Sequence, residues 1–199
     1  MNKLIKELFR FKKLTKELIR YRYLKLVDHP ANIIKQYWVK KYQQKHNVSI
    51  FVETGTYMGE MIQAVQDDFQ QIYSIEIGKD LYKKAKKKFS GEARIHILYG
   101  NSKNTLFEVL EEVNRPCLFW LDAHYSGGVT KKGESNTPIR AELRAILNHS
   151  IKNHIILIDD ARCFNGQNDY PAIKEIKSMV LNKFPSKTFS IKDDMIRII

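Results

Sequence analysis

The segment Phe51-Val-Glu-Thr-Gly-Thr-Tyr-Met-Gly-Glu60 combines an apolar strand, a tight turn with two glycines and the start of a helical pattern. The next apolar segment, Ile72-Tyr-Ser-Ile-Glu-Ile77, carries one carboxylate near its end, Glu76. Small residues let a ligand approach the backbone of such a turn, and a carboxylate offers acceptors to both hydroxyls of a ribose. Gly55 and Glu76 are 21 residues apart, close to the spacing of about 20 in dinucleotide-binding folds. The pattern predicts an adenosine site.

The turn differs from a dinucleotide fingerprint because it contains no Gly-x-Gly. It resembles the first motif of class I S-adenosylmethionine-dependent methyltransferases, an acidic residue followed by Gly-x-x-x-Gly, with Glu53, Gly55 and Gly59 at these positions. A tight turn that binds no ligand explains this single motif equally well. The resemblance implies S-adenosylmethionine as cofactor, bound by Glu53, Gly55, Thr56, Tyr57, Gly59, Glu76, Asn101, Ser102 and Asp122.

The resemblance also implies individual roles for the cofactor-binding residues. Glu53 faces the methionine amino group or orients the turn, and Glu76 binds the ribose diol. Asn101 and Ser102 lie where the adenine is held, with Asn101 in place of the usual aspartate.

From residue 48 onward the chain alternates strands and helices, which predicts a doubly wound α/β sheet. Segments such as Cys117–Leu121 are apolar throughout, as expected when helices cover both faces of a parallel sheet. A β-hairpin over residues 188–199 closes the pattern, and a terminal antiparallel strand is typical of the seven-stranded, Rossmann-like class I methyltransferase sheet. The predicted strands are 49–53, 71–76, 93–99, 116–122 and 154–159, and the predicted helices are 59–70, 79–89, 102–113, 138–149 and 171–183.

Positive charge is concentrated before the sheet. The net charge is +12, and residues 1–49 contain 13 Lys and Arg against three acidic residues. We therefore divide the chain into a basic amphipathic helical extension or lid, residues 1–47, and an S-adenosylmethionine-binding domain, residues 48–199. Within the extension, helices are predicted over residues 2–20 and 31–44, with a break at Asp28-His29-Pro30.

The second of these helices is expected to pack on the edge of the sheet or to cover the cofactor. The first has apolar residues at three- and four-residue steps among lysines and arginines, which favours peripheral contact with an anionic membrane surface through residues 2–20. Self-association into a homo-oligomer and nucleic-acid contact would use the same features.

Carboxylates follow two further strands of the predicted sheet. Asp122 ends the fourth strand, and Asp159 and Asp160 end the fifth. Three carboxylates in one crevice repel one another unless a cation compensates, and Mg²⁺ prefers oxygen ligands. The sequence therefore predicts a metal site, with capping of the following segment or pairing with Arg162 or Arg140 as the alternative.

The same positions sharpen the resemblance to Mg²⁺-dependent O-methyltransferases of the catechol and macrocin types, which carry an Asp after strand four and Asp-Asp or Asp-Asn after strand five. The resemblance implies that the metal binds a substrate hydroxyl and lowers its pKa. Asp122 or His124 then accepts the proton. The loop of residues 123–137 contains three glycines and follows the fourth strand directly, so we expect it either to gate the substrate or to be a plain insertion. The run Asp122-Ala-His-Tyr-Ser-Gly-Gly128 departs from the macrocin pattern.

The acceptor is expected to be a hydroxylated small molecule or a sugar. Enzymes that methylate base amines usually carry Asn/Asp-Pro-Pro-Tyr/Phe after strand four, whereas this chain has Asp122-Ala-His-Tyr. Two alternatives stay open: an NAD-binding Rossmann variant, and a non-catalytic or nucleic-acid-directed methyltransferase-like protein that binds through its basic arm. No apolar run is long enough to span a bilayer, and the two cysteines show no zinc spacing. We expect a cytoplasmic protein, peripheral at the inner face of the membrane.

Overall fold

The structure is a computed structural model, and it describes residues 3–123 and 137–199. Its strands are β1 Ile50–Thr54, β2 Gln71–Glu76, β3 Ile95–Tyr99, β4 Cys117–Leu121, β5 Ile155–Ile158, β6 Phe189–Lys192 and β7 Met195–Ile198. They form one seven-stranded sheet in the order β3-β2-β1-β4-β5-β7-β6. β7 runs antiparallel to both β5 and β6, and the remaining pairs are parallel. The predicted doubly wound sheet with its C-terminal hairpin is confirmed.

Helices cover both faces of this sheet. Those in the described part of the chain are α1 Lys3–Leu18, α2 Asn32–His46, α3 Glu60–Val65, α4 Lys79–Lys88, α5 Ser102–Glu112, α6 Ile139–Asn148 and α7 Ile173–Lys183. A π-helical turn, Ile19–Tyr23, follows α1, and Pro30 precedes Ala31, the N-cap residue of α2. The predicted break between the two N-terminal helices is thus confirmed.

Helix α3 is shorter than predicted. The pattern indicates a helix over residues 59–70, but α3 ends at Val65 and a 3₁₀ turn, Gln66–Asp68, follows. The Arg94 guanidinium donates hydrogen bonds to the carbonyl oxygens of Gln66 and Phe69, at 2.6 and 3.0 Å. This long-range contact satisfies carbonyl groups that a continuing helix would have used, and it is invisible to local periodicity.

The core divides into two layers because successive strand residues point to opposite faces. On β4, Cys117 and Phe119 pack with α5, α6 and α7, whereas Leu118 and Trp120 pack with α2 and α3. All five β4 residues are buried, which explains the uninterrupted apolar run in the sequence. The carboxyl ends of β1 to β5 lie at one edge of the sheet, where the candidate site is found.

Helix α2 packs on the face of the sheet that carries Leu118 and Trp120, and not beside an outer strand. Ile34, Trp38 and Val39 belong to the buried cluster that contains Phe51 and Leu118. The Trp38 indole donates a 2.7 Å hydrogen bond to Asp193 in the turn of the C-terminal hairpin. Helix α2 is therefore part of the core that supports the sheet. Among the described helices, none combines the length and the apolarity needed to cross a bilayer.

Candidate active site

The turn after β1 requires glycine at both of its glycine positions. Gly55 has φ +89° and Gly59 has φ +68°, in the region that L side chains rarely adopt. A Cβ on Gly55 would lie 2.7 Å from the carbonyl oxygen of Asp122, and one on Gly59 would lie 2.7 Å from the Phe89 ring. The first contact brings the turn against the carboxyl end of β4. The motif residues Gly55 and Asp122 therefore lie side by side, as the cofactor prediction requires.

Glu53 lies beneath this turn and is almost fully buried. Its Oε2 accepts a 2.6 Å hydrogen bond from the Ser74 hydroxyl, which in turn contacts the Thr56 hydroxyl at 2.6 Å. Burial raises the pKa of Glu53 to about 8, although the hydrogen bond from Ser74 opposes the rise. Of the two roles predicted for Glu53, this position favours orienting the turn.

Glu76 ends β2 and also braces the turn. One carboxylate oxygen accepts a hydrogen bond from the backbone N–H of Tyr57 at 2.8 Å, and the other accepts one from Gly78 at 2.7 Å. Each oxygen keeps a second lone pair, so the carboxylate retains acceptor capacity for a ribose diol. Tyr57 itself has a positive φ of 47° and is half exposed beside Glu76.

The third strand end places its polar residues as expected. Asn101 is the N-cap of α5, and its side-chain oxygen accepts a 3.1 Å hydrogen bond from the N–H of Lys103. Ser102 is buried at the first position of the helix. The side-chain oxygen of Asn101 thus caps α5, which is one reason for an asparagine at this position. The adenine contact stays a prediction.

Asp122, Asp159 and Asp160 converge at the ends of β4 and β5. One oxygen atom from each lies within 4.8 Å of the others. Asp159 and Asp160 are buried, and Asp122 is partly exposed. The structure therefore brings together all three residues predicted as metal ligands.

Two basic side chains already bind this cluster. The Lys35 ammonium lies 2.5 Å from Asp159 Oδ2 and 3.3 Å from Asp160 Oδ1, and Arg162 Nη1 lies 2.9 Å from Asp160 Oδ1. Burial and repulsion by Asp122 raise the pKa of Asp159, to about 7, and the Lys35 ammonium opposes that rise. Burial acts to lower the pKa of Lys35, but attraction to Asp159 and Asp160 outweighs it and raises the pKa. Lys35 is therefore a stable cation inside the cluster.

The cluster has the right donors for Mg²⁺, but the Lys35 ammonium already lies among them. Carboxylate oxygens suit the ion, which requires contacts of about 2.0–2.1 Å to its ligands. Both oxygens of Asp159 already accept hydrogen bonds, one from Lys35 and one from the backbone N–H of Asp160 at 2.8 Å. The alternative of pairing with Arg162 is observed, whereas Arg140 pairs with Glu175 instead, at 2.7 Å. The residues present therefore do not fit a metal while Lys35 holds its position.

A small cavity adjoins the cluster and contains a carboxyl group that the sequence reasoning missed. Glu142 on α6 is only 1% exposed, and neither its Oε1 nor Thr54 Oγ1 has a hydrogen-bond partner in the part of the chain that the structure describes. Burial raises the pKa of Glu142 to about 7. The walls of the cavity are formed by Leu121, Asp122, Ala123, Thr137, Ile139, Glu142, Ile158, Asp159, Phe164 and Tyr170.

Lys35 and Glu142 share a sequence signal that could have revealed them. Lys35 lies four residues before Val39, and Glu142 lies three residues after Ile139, so each charged residue occupies a position on the apolar face of its helix. Charged side chains rarely occupy buried positions unless they are paired or functional.

His124 and most of the predicted gating loop lie outside the described residues, so both remain predictions.

The sequence matches no protein-family model and no curated protein. Its fold is similar to an O-methyltransferase from Bacillus cereus solved with S-adenosylhomocysteine, at 12% identity and a TM-score of 0.61, over 94% of this chain and 90% of that one. It is also similar to the O-methyltransferase TomG from Streptomyces achromogenes solved with S-adenosylmethionine, at 11% identity and a TM-score of 0.61, over 94% and 88%.

A third similar structure is a putative caffeoyl-CoA O-methyltransferase from Staphylococcus aureus, at 19% identity and a TM-score of 0.58, over 98% of this chain and 97% of that one. At these identities the likeness concerns the fold. The chain has the class I methyltransferase fold, with its C-terminal antiparallel hairpin, over nearly its whole length.

Proposed function

We propose that this protein is an S-adenosylmethionine-dependent methyltransferase that methylates a hydroxyl group of a small molecule or a sugar. The observation that carries the proposal is the junction of two sites at one edge of the sheet. The glycine turn packs against the carbonyl oxygen of Asp122, so the predicted cofactor residues adjoin the acidic cluster at the ends of β4 and β5.

The chemistry divides between the cofactor and the chain. The bound cofactor supplies a methyl group on a sulfonium, and the acceptor oxygen forms the new O–CH₃ bond as the S–CH₃ bond breaks. Transfer needs the acceptor aligned behind the methyl group and relieved of its proton. Asp122 lies beside the turn and partly exposed, which suits it to accept that proton; His124 is the other candidate. Gly55 and Glu76 position the cofactor.

The metal-assisted version of this reaction remains a separate hypothesis. It assigns Mg²⁺ to Asp122, Asp159 and Asp160, and it requires the Lys35 ammonium to leave Asp159 and Asp160. The methyltransferase proposal itself does not depend on the metal.

The proposal is tested by calorimetric titration of S-adenosylhomocysteine into the purified protein. We expect a Kd in the micromolar range, about −8 kcal/mol. Glu76→Ala should weaken binding about 30-fold by removing the ribose acceptor, whereas Glu111→Ala, at an exposed position near the end of α5, should leave it unchanged. No binding by the wild-type protein, or equal effects of both variants, would contradict the proposal.

A second candidate function, nucleic-acid binding through the basic arm, follows from the charge of residues 1–49. Binding of this kind weakens steeply with salt because Lys and Arg release counterions from the phosphates. A nucleic-acid affinity that falls with salt and is lost on deletion of residues 1–30 would favour it. We delete only to residue 30 because α2 is part of the core; Leu14 of α1 also packs there, so circular dichroism must first show that the truncated protein folds.

We also propose that α1 binds an anionic membrane surface from the cytoplasmic side. Phe9 and Phe11 are 64% and 65% exposed, Ile5 and Leu8 are about half exposed, and lysines lie between and after them in the sequence. Apolar side chains that enter the interface, next to lysines that attract anionic lipid, are typical of interfacial helices.

The membrane proposal is tested by co-sedimentation with vesicles. We expect binding to vesicles that contain phosphatidylglycerol and little binding to phosphatidylcholine alone. The double variant Phe9→Ser/Phe11→Ser should lose it, whereas Phe107→Ser, which changes an exposed phenylalanine on α5, should not. Concentration-dependent dimerisation that the same double variant abolishes, without vesicle binding, would assign α1 to self-association instead.

A further inference from the structure

We infer that Lys35 is the cation of the acidic cluster and takes the place of a divalent metal, so that this site works without one. The inference about the reaction rests on the proposed methyltransferase function. The assignment of the cation rests on the geometry of Lys35 and the three carboxylates alone.

Lys35 reaches the cluster from a helix that precedes the whole sheet. Lys35 is 8% exposed, and its neighbours on α2, Ile34 and Trp38, are buried in the core. The ammonium contacts Asp159 at 2.5 Å and Asp160 at 3.3 Å, across more than 120 residues of sequence. Because α2 is fixed in the core, the lysine is delivered to the carboxyl end of β5 by a rigid element.

The ammonium meets the electrostatic need that a metal would meet. Three carboxylates within 4.8 Å of one another repel strongly in a buried site, and an unpaired buried charge is costly. Lys35 brings one positive charge to Asp159 and Asp160, and Arg162 divides a second between Asp160 and Asp194. Cations of this chain therefore offset part of the negative charge of the cluster, and Lys35 is the one that contacts both Asp159 and Asp160.

A metal and Lys35 compete for the same carboxylates. The ammonium lies 2.5 Å from Asp159 Oδ2 and 3.3 Å from Asp160 Oδ1, so a divalent ion on these residues would lie next to a buried positive charge. Because like charges repel strongly in a buried site, the ion would have to displace the ammonium, leaving a buried lysine without its partners.

Lys35 also has a use in the reaction. An ammonium carries three N–H donors, and Asp159 and Asp160 take two of them. No partner for the third is seen among residues 3–123 and 137–199, and we assign it to an acceptor oxygen that enters beside Asp122. A fixed positive charge there stabilises the negative charge that develops on the oxygen as its proton leaves. Helix α2 thereby contributes to the active site as well as to the core.

The assignment is tested by Mn²⁺ titration followed by electron paramagnetic resonance, with the metal alone as probe. The wild-type protein should bind no Mn²⁺ tightly. Lys35→Met keeps the length of the side chain but removes the charge, and it should bind Mn²⁺ at least about ten-fold more tightly than wild type through the three carboxylates. The matched control is Lys40→Met, which removes a lysine of the same helix that pairs with Asp68, outside the cluster; it should behave as wild type.

Two results would overturn the assignment. One is micromolar Mn²⁺ binding by the wild-type protein that Asp159→Asn abolishes. The other is a folded Lys35→Met protein, verified by circular dichroism, that gains no affinity for Mn²⁺. If Lys35→Met does not fold, Lys35→Arg serves in its place: it keeps the charge and should exclude Mn²⁺ as wild type does, and tight Mn²⁺ binding by it would also overturn the assignment.

Titration of S-adenosylhomocysteine into the same wild-type preparation, with EDTA present, separates this inference from the proposed function. Cofactor binding that persists in EDTA, together with the expected Mn²⁺ results, supports both. Absence of cofactor binding alongside the expected Mn²⁺ results contradicts the methyltransferase proposal and leaves the cation assignment standing. Cofactor binding that is abolished by EDTA overturns the claim that the site works without a metal.

Discussion

The two halves of the sheet edge are built in different ways. In the cofactor half, the Ser74–Glu53 and Tyr57–Glu76 hydrogen bonds join residues 21 and 19 positions apart. In the acidic half, the ion pair between Lys35 and Asp159 spans 124 positions. The cofactor half is a single strand-turn-helix-strand unit. Its residues are close in the sequence, so a local sequence motif is enough to predict it. The second depends on how an N-terminal helix packs, so its chemistry follows from tertiary structure.

The most severe way to break the cofactor half is Gly55→Ala. A methyl group there is forced against the Asp122 carbonyl at 2.7 Å, in a backbone conformation with φ +89°. We expect about a 100-fold loss of affinity for S-adenosylhomocysteine, about 2.7 kcal/mol, measured by calorimetry. Gly91→Ala is the control, because a Cβ there has nothing within 4 Å. Equal affinities for the two variants would show that the turn does not contact the cofactor.

The acidic half is probed by a double-mutant cycle on Lys35 and Asp159. Asp159→Asn removes the charge that pairs with the ammonium, and Lys35→Met removes the ammonium itself, so each change breaks the same ion pair. Lys35→Met should therefore cost less in the Asp159→Asn background than it does alone, with a coupling of about 2 kcal/mol in urea unfolding. The same cycle on Lys40 and Asp68, a pair nearer the surface, should give about 0.5 kcal/mol. Additive effects at Lys35 and Asp159 would contradict a structural ion pair.

Glu53 gives the cofactor half a pH dependence. Its pKa is raised from 4.5 to about 8 in the folded protein, mainly by burial. The folded state therefore binds the proton more tightly than the unfolded state does. The stabilisation is complete below the unfolded pKa, and it is lost as the pH rises through about 8.

Glu53→Gln mimics the protonated form and removes this loss. We expect the variant to exceed wild type by at least about 2 kcal/mol at pH 9 and to approach it below the unfolded pKa, in urea unfolding followed across pH. Glu142 and Asp159 titrate in both proteins, so the difference isolates Glu53. Parallel profiles for the two proteins would mean that Glu53 is ionised in the fold at neutral pH.

The smallest expected effect on stability comes from Asn101, which follows β3. Asn101→Ala removes the cap of α5 and should cost about 1 kcal/mol of stability. Asn101→Asp keeps an acceptor for the N–H of Lys103 and should restore that stability. Lys103→Pro is the control, because it removes the capped N–H and leaves Asn101 in place. If Asn101 also contacts the adenine, Asn101→Ala should weaken S-adenosylhomocysteine binding more than Lys103→Pro does. Unchanged binding by Asn101→Ala would assign the residue to the helix cap only.

The sequence was sufficient for the fold because each strand and helix carries a local signal. The uninterrupted apolar run of β4 follows from burial on both faces, and the C-terminal hairpin follows from the turn at Asp193-Asp194. Boundaries that depend on distant contacts were less accurate, as at α3, where Arg94 binds carbonyl groups beyond its end.

The candidate site was predicted only in part for the same reason. Strand-end residues such as Asp122 and Asp159 could be placed together because parallel strands end at one edge of the sheet. Lys35 and Glu142 could not be assigned, because their partners depend on how α2 and α6 pack. The sequence indicates these contacts only indirectly, through a charged residue on the apolar face of each helix.

We propose that one edge of the sheet holds a methyl-donor site and, next to it, an acidic cluster whose cation is Lys35. A crystal structure with S-adenosylhomocysteine and Mn²⁺, with anomalous data collected at the manganese edge, tests both parts at once. We expect S-adenosylhomocysteine between the Gly55 turn and Glu76, Lys35 against Asp159 and Asp160, and no manganese peak in the cluster. A manganese peak among the three carboxylates with Lys35 displaced, or S-adenosylhomocysteine bound elsewhere, would contradict it.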